Sequence, residues 1–271
     1  MTHVPPSMDG ALAAHEETPG LSDAVSVGTP DARGMTSPGP DTAATFSDPA
    51  DPADEVLVDQ AGRPLGPRAL QTRRKILEAT TQLLSEKPMR DMRVIDIARS
   101  IGSSPATFYQ YFKGVEDVVL HLASQAKEAT PLLVEMICGS WEGREGHERG
   151  KRISNMVIDH WEKYAPVLRA RNNASDEGHP GLREQRMAAL IPLVVAFQAQ
   201  IERAQAESRP ADSADGWNGG PLDPLAGASA LCSCLERTSM YHVWIEELGS
   251  TRENIVNTTA TFMQSMLAPR R

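Results

Sequence analysis

Hydroxyl, phenol and amide side chains are concentrated between Ser104 and Lys113, where the sequence reads SPATFYQYFK. These groups donate and accept hydrogen bonds, as do the base edges that face the major groove of DNA. Lys113 adds a cation of the kind that attracts phosphate. The chemistry that these residue types suit is therefore non-covalent recognition of a polar partner.

Two short helices are predicted to position these side chains. Before Gly102, apolar residues recur at the spacing of one helical face, and Gly tolerates the left-handed backbone that ends many helices. Ser104 followed by Pro105 is a start signal, because Ser caps free N–H groups and Pro has no N–H to leave unpaired. The apolar positions of the first helix are Val94, Ile97, Ala98 and Ile101.

The second of these helices is predicted to run from Pro105 to Phe112, with Phe108 and Phe112 facing inward. Two helices joined by a Gly-containing turn make a helix-turn-helix, whose second helix fits a major groove about 12 Å wide. An ordinary helical hairpin of a bundle is the alternative. The outward aromatics Tyr109 and Tyr111 favour the DNA-binding motif, since a solvated helix face has little use for them.

The segment from about Gln71 to Gln125 resembles the DNA-binding domain of the TetR family of bacterial transcriptional repressors. The matching sequences are RRKILEATTQLLSEK, VIDIARSIGSSPATFYQYFKG and EDVVLHLA. Two positions depart from the family pattern. Val115 stands where the family usually has a phosphate-binding Lys, and Arg93 stands where it often has a Thr that caps the helix. Lys113 is a neighbouring substitute for the missing Lys.

The resemblance implies roles for the residues of the second helix. Thr107, Gln110 and Tyr111 are expected to contact bases, whereas Ala106 allows a close approach or packs on a thymine methyl group. The phosphate contacts are expected to come from Ser104, Tyr109 and Lys113, while Pro105 occupies the start of the helix. Arg73, near the start of the first helix of the domain, is a further candidate for phosphate binding.

The charge of the chain is unevenly distributed. Its 271 residues carry a net charge of −9, which alone argues against a nucleic-acid partner. Residues 68–127, however, hold ten basic and six acidic residues, whereas residues 1–60 hold one basic and eleven acidic residues. Because phosphate attraction depends on the local field, the positive segment suits a DNA-facing domain. An ordinary solvated surface is the alternative explanation.

Several other classes of protein are not supported by the sequence. The three cysteines, Cys138, Cys232 and Cys234, make no disulfide framework or metal-ligand set, so neither metal nor cofactor is predicted. There is no phosphate-binding Gly loop, H-E-x-x-H or G-x-S-x-G motif, which predicts that the protein is not an enzyme. No apolar run reaches the ~18 residues of a membrane span and no signal peptide is recognisable, so a cytoplasmic location is expected.

The composition divides the chain into three parts. Residues 1–67 are predicted to be a disordered, acidic, Pro- and Ala-rich tail with a linker, because few of their side chains are apolar. Arg63 and Arg68 are candidates for an arm that reaches DNA. Residues 68–127 are the helix-turn-helix domain. Residues 128–271 are predicted to form further helices, with a charged loop over 143–150, a break at Pro166 and the last two helices over 222–248 and 252–267. The predicted fold class is all-α, with an N-terminal three-helix head and a C-terminal helical bundle.

In the TetR family the C-terminal helices bind a small effector and the last two helices pair with a second subunit. Those two helices correspond here to 226–248 and 254–267, with a small and apolar surface: Ala226, Gly227, Ala228, Ala230, Leu231, Leu235, Ile255, Phe262, Met263 and Met266. Large side chains that adapt to a ligand are the pocket candidates: Trp141, Met156, His160, Trp161, Tyr164, Met187, Met240, Tyr241 and Trp244. Simple core packing is the alternative role for each of them.

The sequence thus favours a dimeric DNA-binding transcriptional regulator, most simply a repressor that a small-molecule effector releases from a pseudo-palindromic operator. The alternative is a helical ligand-binding or protein-interaction module that has lost DNA binding. Val115 and the acidic tail favour that alternative. A steep loss of affinity with salt separates the two, because DNA binding releases counterions.

Overall fold

The computed structural model describes residues 57–208 and 222–269. Within these ranges the chain is helical and contains no β-strand, so the predicted all-α class is confirmed. Its helices in chain order are α1 (Pro67–Glu86), α2 (Val94–Ser100), α3 (Pro105–Phe108), α4 (Val115–Gln125), α5 (Thr130–Ile137), α6 (Gly143–Asp176), α7 (Pro180–Glu207), α8 (Pro224–Met240), α9 (His242–Glu247) and α10 (Arg252–Leu267). Short 3₁₀ turns lie at Met89–Asp91 and Ala126–Ala129.

Helices α1 to α4 form the head around a filled apolar core. Its centre is made by side chains with no exposed surface: Ile76, Ile97, Phe108, Val118, Val119 and Leu122. Gly102 has a φ of +65°, the left-handed conformation that lets the chain turn between α2 and α3. The predicted inward position of Phe108 and Phe112 is what the structure has.

The second helix of the motif, α3, is shorter than predicted. Regular α-helix ends at Phe108, and the next residues tighten, since the N–H groups of Gln110 and Tyr111 donate to carbonyls three residues back. Phe112 returns to a four-residue hydrogen bond with Phe108 at 3.1 Å. The stretch from Pro105 to Phe112 is therefore one α-helical turn followed by a 3₁₀-like turn, which leaves its polar residues on the same protruding element.

Helix α6 is one continuous helix of 34 residues, where the sequence predicts a charged loop over 143–150 and a break at Pro166. The glycines that suggested the loop are packing residues. A Cβ on Gly146 would lie 2.0 Å from the carbonyl oxygen of Trp141, and one on Gly150 would lie 2.9 Å from the Cα of Ala260 in α10. Glycine is thus needed here because other segments of backbone approach α6 closely.

The last two helical segments differ from the expectation for a subunit interface. The predicted helix over 222–248 is interrupted at Tyr241, which separates α8 from α9. Most of the apolar residues expected to face a second subunit lie in the core of the subunit itself: Gly227, Ala228, Leu231, Leu235, Ile255 and Met263. Ala226, Ala230 and Phe262 are exposed. The α8–α10 pairing surface is therefore mostly an internal contact.

The segment before α1 has a definite structure, although it lies in the tail and linker that the sequence predicts to be disordered. Leu65 donates from its N–H to the carbonyl of Leu57 at 2.8 Å, and Val58 and Pro64 form an antiparallel bridge. Asp59 holds the turn through ion pairing with Arg63 at 2.7 Å. These local bonds order residues 57–66 despite their Pro and Gly content. The rest of the predicted tail, residues 1–56, lies outside the described residues.

Candidate nucleic-acid interface and interior cavity

The start of α3 is capped as the sequence predicts. Ser104 Oγ accepts a hydrogen bond from the backbone N–H of Thr107 at 3.2 Å and lies 3.1 Å from the Thr107 hydroxyl. Pro105 occupies the first helical position, where it leaves no N–H unpaired. The cap fixes the two hydroxyl groups beside each other at the exposed opening of the helix.

Beyond the cap, α3 and the turn after it present polar side chains to solvent. Ala106, Gln110 and Lys113 are exposed, and the ring of Tyr109 is 52% exposed. That ring meets the buried ring of Phe108 edge-on, with 5.7 Å between ring centroids. The exposed phenol is therefore held by the filled core behind it. This surface is the candidate nucleic-acid interface.

Four of the predicted contact residues are only half-exposed: Arg73, Pro105, Thr107 and Tyr111. Tyr111 packs against the core of the head, so its ring presents only part of its surface to solvent. Arg73 lies over the ring of Phe112, 5.3 Å from the ring centroid, and its Nη2 donates toward the imidazole of His121 at 2.9 Å. Arg73 thereby joins α1 to α4, a structural role that the sequence analysis does not include.

The first helix of the motif is capped by a residue that the sequence analysis overlooked. The carboxylate of Asp96 accepts from Lys87 Nζ at 2.6 Å and from the backbone N–H of Arg93 at 3.2 Å. These hydrogen bonds, that of Lys87 first, hold the pKa of Asp96 below its usual range. Val115 is 7% exposed within the core of the head, so it offers nothing to phosphate, whereas Lys113 is exposed two residues earlier.

The recognition turn is held from behind by the ordered segment before α1. Gln60 donates from its backbone N–H to the carbonyl of Gln110 at 2.9 Å and from Nε2 to the carbonyl of Tyr111 at 3.0 Å. Carbonyls at the end of a helical turn have no partner within the turn, so these bonds satisfy them. The segment over 57–66 is therefore part of the head.

The head also matches a known family. Residues 76–122, which run from α1 to α4, match the family model described as bacterial regulatory proteins, tetR family. The helix-turn-helix head is that of the tetR family. The match covers the segment whose residues carried the resemblance in the sequence.

Solved structures extend the likeness beyond the tetR-family head. A tetR-family transcriptional regulator from Streptomyces coelicolor is 14% identical, with 74% of this chain and 82% of that chain covered and a TM-score of 0.51. A transcriptional regulator from Pseudomonas aeruginosa PAO1 is 15% identical, with 74% and 91% covered and a TM-score of 0.53. GusR of Salmonella enterica is 17% identical, with 75% and 97% covered and a TM-score of 0.50. These neighbours establish the tetR-family fold. No curated protein sequence matches the chain.

A cavity of about 80 Å³ lies among α5, α6, α7 and α8 and the 3₁₀ turn at Ala126–Ala129. By this measure one water needs roughly 10–15 Å³, so the space admits several non-hydrogen atoms. Its lining is mainly apolar with a few ionisable groups: Ala126, Ala129, Thr130, Leu133, Val157, His160, Trp161, Leu168, Arg171, Ala189, Leu190, Leu193, Cys232, Leu235 and Glu236.

The pocket candidates from the sequence have different locations. His160 and Trp161 line the cavity. Trp141 is buried elsewhere in the core, where its Nε1 donates to the carbonyl of Ile137 at 2.9 Å. Tyr164 is buried beside His160, with 5.0 Å between ring centroids, but does not line the cavity. The others are half-buried or exposed residues outside it: Met156, Met187, Met240, Tyr241 and Trp244.

Burial controls the charge of the ionisable groups at the cavity. Desolvation lowers the pKa of His160 to about 4, so the imidazole is neutral at pH 7. Desolvation also raises the pKa of the Cys232 thiol to about 12, which removes it as a nucleophile or metal ligand at neutral pH. Desolvation lowers the pKa of Arg171 to about 10, so its guanidinium stays charged.

Arg171 and Glu236 line the cavity although neither was among the pocket candidates from the sequence. A signal was present for Arg171, because it continues the apolar stripe of α6 through Trp161, Tyr164 and Leu168 at helical spacing. A charged residue on such a stripe marks a buried cation. Glu236 has no comparable signal, since its position depends on how α8 packs against α6.

Helix α7 has an unusual surface. It is 28 residues long and, by length and composition only, apolar enough to cross a membrane. Of its most apolar 18-residue stretch, 28% is buried in the protein. Met187, Ile191 and Val195 follow one another at four-residue spacing and are all exposed. They form an outward apolar face, which is equally what a contact with another protein subunit needs. Throughout the described part of the chain, no group of His, Cys, Asp and Glu side chains is arranged to hold a metal ion.

Proposed function

We propose that this protein is a dimeric transcriptional regulator, most simply a repressor, which binds a pseudo-palindromic operator and leaves it when a small molecule occupies its C-terminal domain. The observation that carries this proposal is the exposed polar surface of α3 on a head that matches the tetR family. Such a regulator works in the cytoplasm, where the DNA is.

The residues of the recognition surface divide into two groups in this proposal. Thr107, Gln110 and the exposed part of Tyr111 contact base edges, and Ala106 lets the helix approach the bases. The phosphate contacts come from Ser104, Tyr109 and Lys113. Pro105 holds the opening of the helix. Arg73 contributes by fixing α4 to α1 within the head, since its guanidinium already faces Phe112 and His121.

The second subunit is proposed to pack on the outward faces of α7 and α8. These helices lie side by side, with Met187, Ile191 and Val195 exposed on α7 and Leu225 exposed on α8. Small exposed residues on α8 would let two such helix pairs approach closely: Ala226, Ser229 and Ala230. Two heads on a twofold axis then meet half-sites about 34 Å apart.

Ligand-controlled release is supported by the position of the cavity next to the head. On α6, Val167 and Ala170 pack in the core of the head, whereas Leu168 and Arg171 line the cavity. Ala126, directly after α4, lines it as well. A ligand that favours one arrangement of α4 and α6 would shift the spacing of the two heads, which is how a bound effector changes affinity at a distance.

Selection of bound duplexes from a random-sequence pool tests this function. We expect a pseudo-palindromic sequence to be enriched, with affinity that falls steeply as salt rises. Gln110→Ala should weaken binding to the selected site by roughly 1–3 kcal/mol, the usual cost of a lost base contact. Gln82→Ala, at an exposed glutamine of α1, is the matched control and should leave affinity unchanged.

Two results would contradict the proposal. One is a pool from which no sequence is held more tightly than random DNA, as expected of a helical module that has lost DNA binding. The other is a selected site to which Gln110→Ala and Gln82→Ala bind equally well. The oligomeric state is tested separately, because Ile191→Arg should give a monomer in sedimentation if α7 carries the subunit contact.

A further inference from the structure

A buried cation with unused hydrogen-bond donors lines the interior cavity. Arg171 of α6 is 5% exposed, and both its Nε and its Nη2 donate to Oδ1 of Asn172, at 3.0 and 2.9 Å. Over 57–208 and 222–269, Nη1 has no hydrogen-bond partner, and no carboxylate of a described side chain lies within ion-pair distance of the guanidinium. A buried charge is costly unless a partner compensates it.

The nearby carboxylate of Glu236 is committed to other groups. Its Oε1 accepts from Asn172 Nδ2 at 2.8 Å, and its Oε2 lies 3.5 Å from Nη2 of Arg186. Arg186 also pairs with the exposed Asp176 at 2.7 Å, and its buried Nε has no partner in the described part of the chain. Glu236 is thus engaged by Asn172 and Arg186, which leaves Arg171 as the guanidinium at this end of the cavity without a carboxylate in ion-pair distance among the described side chains.

The rest of the lining is apolar or uncharged. It is made by side chains that offer no charge to a ligand, such as Leu133, Val157, Trp161, Leu168 and Leu193. His160 is neutral at pH 7 because burial lowers its pKa. A ligand would thus meet one cationic end and an otherwise apolar enclosure.

From this juxtaposition of Arg171 with an apolar enclosure we propose that the cavity binds a monocarboxylate with an apolar body. The carboxylate accepts from Nη1 of Arg171, and the body fills the space beside Trp161. A doubly charged phosphate ester fits less well, since Glu236 lines the same cavity and would repel the second charge. A cation or a neutral polar compound would leave Arg171 uncompensated. The ligand chemistry stands on the cavity alone, and only the role of this ligand as effector rests on the proposed function.

Calorimetric titration of the full chain without DNA tests the ligand chemistry. The probes are hexanoate and benzoate, each compared with its primary amide, which has nearly the same shape without the charge. We expect each carboxylate to bind about tenfold or more tightly than its amide, because only the carboxylate forms an ionic hydrogen bond with the buried guanidinium of Arg171. No detectable binding of either carboxylate, or equal binding of acid and amide, would overturn the proposal.

Variants assign the preference to its residue. Arg171→Met keeps the length of the side chain, and replacing a buried charge by an apolar residue usually leaves a protein folded. It should abolish the preference for acid over amide while the amide still binds. Arg169→Met removes an exposed charge from the same helix and should change nothing. Glu236→Gln should strengthen carboxylate binding, since it removes the repelling charge. A preference that survives Arg171→Met would refute the proposed contact.

A separate titration of the operator complex distinguishes this inference from the proposed function. If hexanoate or benzoate binds through Arg171 and also lowers affinity for the selected operator, both proposals hold. If it binds through Arg171 with no effect on DNA affinity, the ligand chemistry stands and the effector role of this site fails. If neither carboxylate binds although the operator is recognised, the ligand chemistry fails and the DNA-binding function stands.

Discussion

The head and the C-terminal bundle handle polar groups in opposite ways. In the head the core is filled by apolar side chains, and the polar residues of α3 lie outside on that firm support. In the bundle the core leaves a cavity, and charged groups such as Arg171 lie inside it. A filled core with polar groups outside suits a rigid surface that reads an external partner. A core that leaves a cavity with a buried charge suits a small molecule that enters the cavity and pairs with that charge.

Helix α6 belongs to both regions and shows how closely they are joined. Its segment 167–171 alternates between them, because Val167 and Ala170 pack in the core of the head while Leu168 and Arg171 face the cavity. The same helical turn therefore contacts a rigid core on one side and an adjustable space on the other. A change at the cavity can reach the head through packed side chains, without a flexible connection.

The largest effect is expected where the rigid support of the recognition surface is removed. Phe108→Ala should cost about 3–5 kcal/mol in the free energy of unfolding, since Phe108 has no exposed surface and its loss leaves a cavity in the head. Denaturant unfolding measures this cost. Tyr109→Ala, at the neighbouring exposed ring, should cost little stability but weaken operator binding. Equal stability losses for both variants would mean that α3 is not built on a rigid core.

Because burial keeps the imidazole of His160 at the cavity neutral, the protein should lose stability in acid. Because the pKa of His160 is about 4 in the folded state and about 6.5 in the unfolded state, the unfolded chain binds the extra proton more readily between these values. The stability that His160 contributes is thus complete above pH 6.5 and lost as the pH falls to 4. The loss should be about 3 kcal/mol relative to His160→Gln, measured by denaturant unfolding at pH 7, 5.5 and 4. A parallel pH dependence in the variant would contradict a buried neutral imidazole.

A matched pair of enlargements compares the packing of the two regions directly. Ala123→Leu adds volume to the filled core of the head, where Ala123 has no exposed surface, and should destabilise the protein by about 1–3 kcal/mol. Ala189→Leu adds the same volume at the cavity wall and should be neutral or slightly stabilising, because space is available there. Thermal unfolding in the absence of ligand measures both. If Ala189→Leu costs as much as Ala123→Leu, the cavity is not open to a ligand in the resting protein.

Local sequence signals were sufficient for the head but not for the cavity. Ser104 and Pro105 announce the start of α3, and the spacing of Phe108 and Phe112 fixes which side faces inward, so the recognition surface follows from adjacent residues. Gly146 and Gly150 were misread as loop residues. The close neighbour of Gly150, Ala260 of α10, comes from a distant segment of the chain. Contacts between distant segments do not change the spacing of apolar residues along a helix, so the sequence pattern does not show them.

The same limit explains why several pocket candidates lie outside the cavity and why most of the expected interface residues are buried within the subunit. Met187 and Trp244 are large and apolar, as cavity residues often are, yet both are exposed because of how α7 and α9 are oriented. Packing against α6 and α7 decides which side of α8 is buried, and the sequence of α8 alone does not indicate that side. Arg171 could have been recognised, since its charge interrupts the apolar stripe of α6.

The smallest expected effect concerns the segment that the sequence assigned to the tail. Gln60→Ala removes the hydrogen bond from Nε2 to the carbonyl of Tyr111, across 51 positions of sequence, but keeps the backbone bond to Gln110. Because the lost bond is exposed to water, the cost in stability should be only about 0.5 kcal/mol. Amide hydrogen exchange should nevertheless increase locally, over 57–66 and 109–112, since the two segments protect each other. Gln82→Ala on α1 should leave that exchange unchanged. If the two variants exchange alike, the segment before α1 adds nothing to the rigidity of the recognition surface, and the contrast between a firm head and an adjustable cavity depends on the apolar core alone.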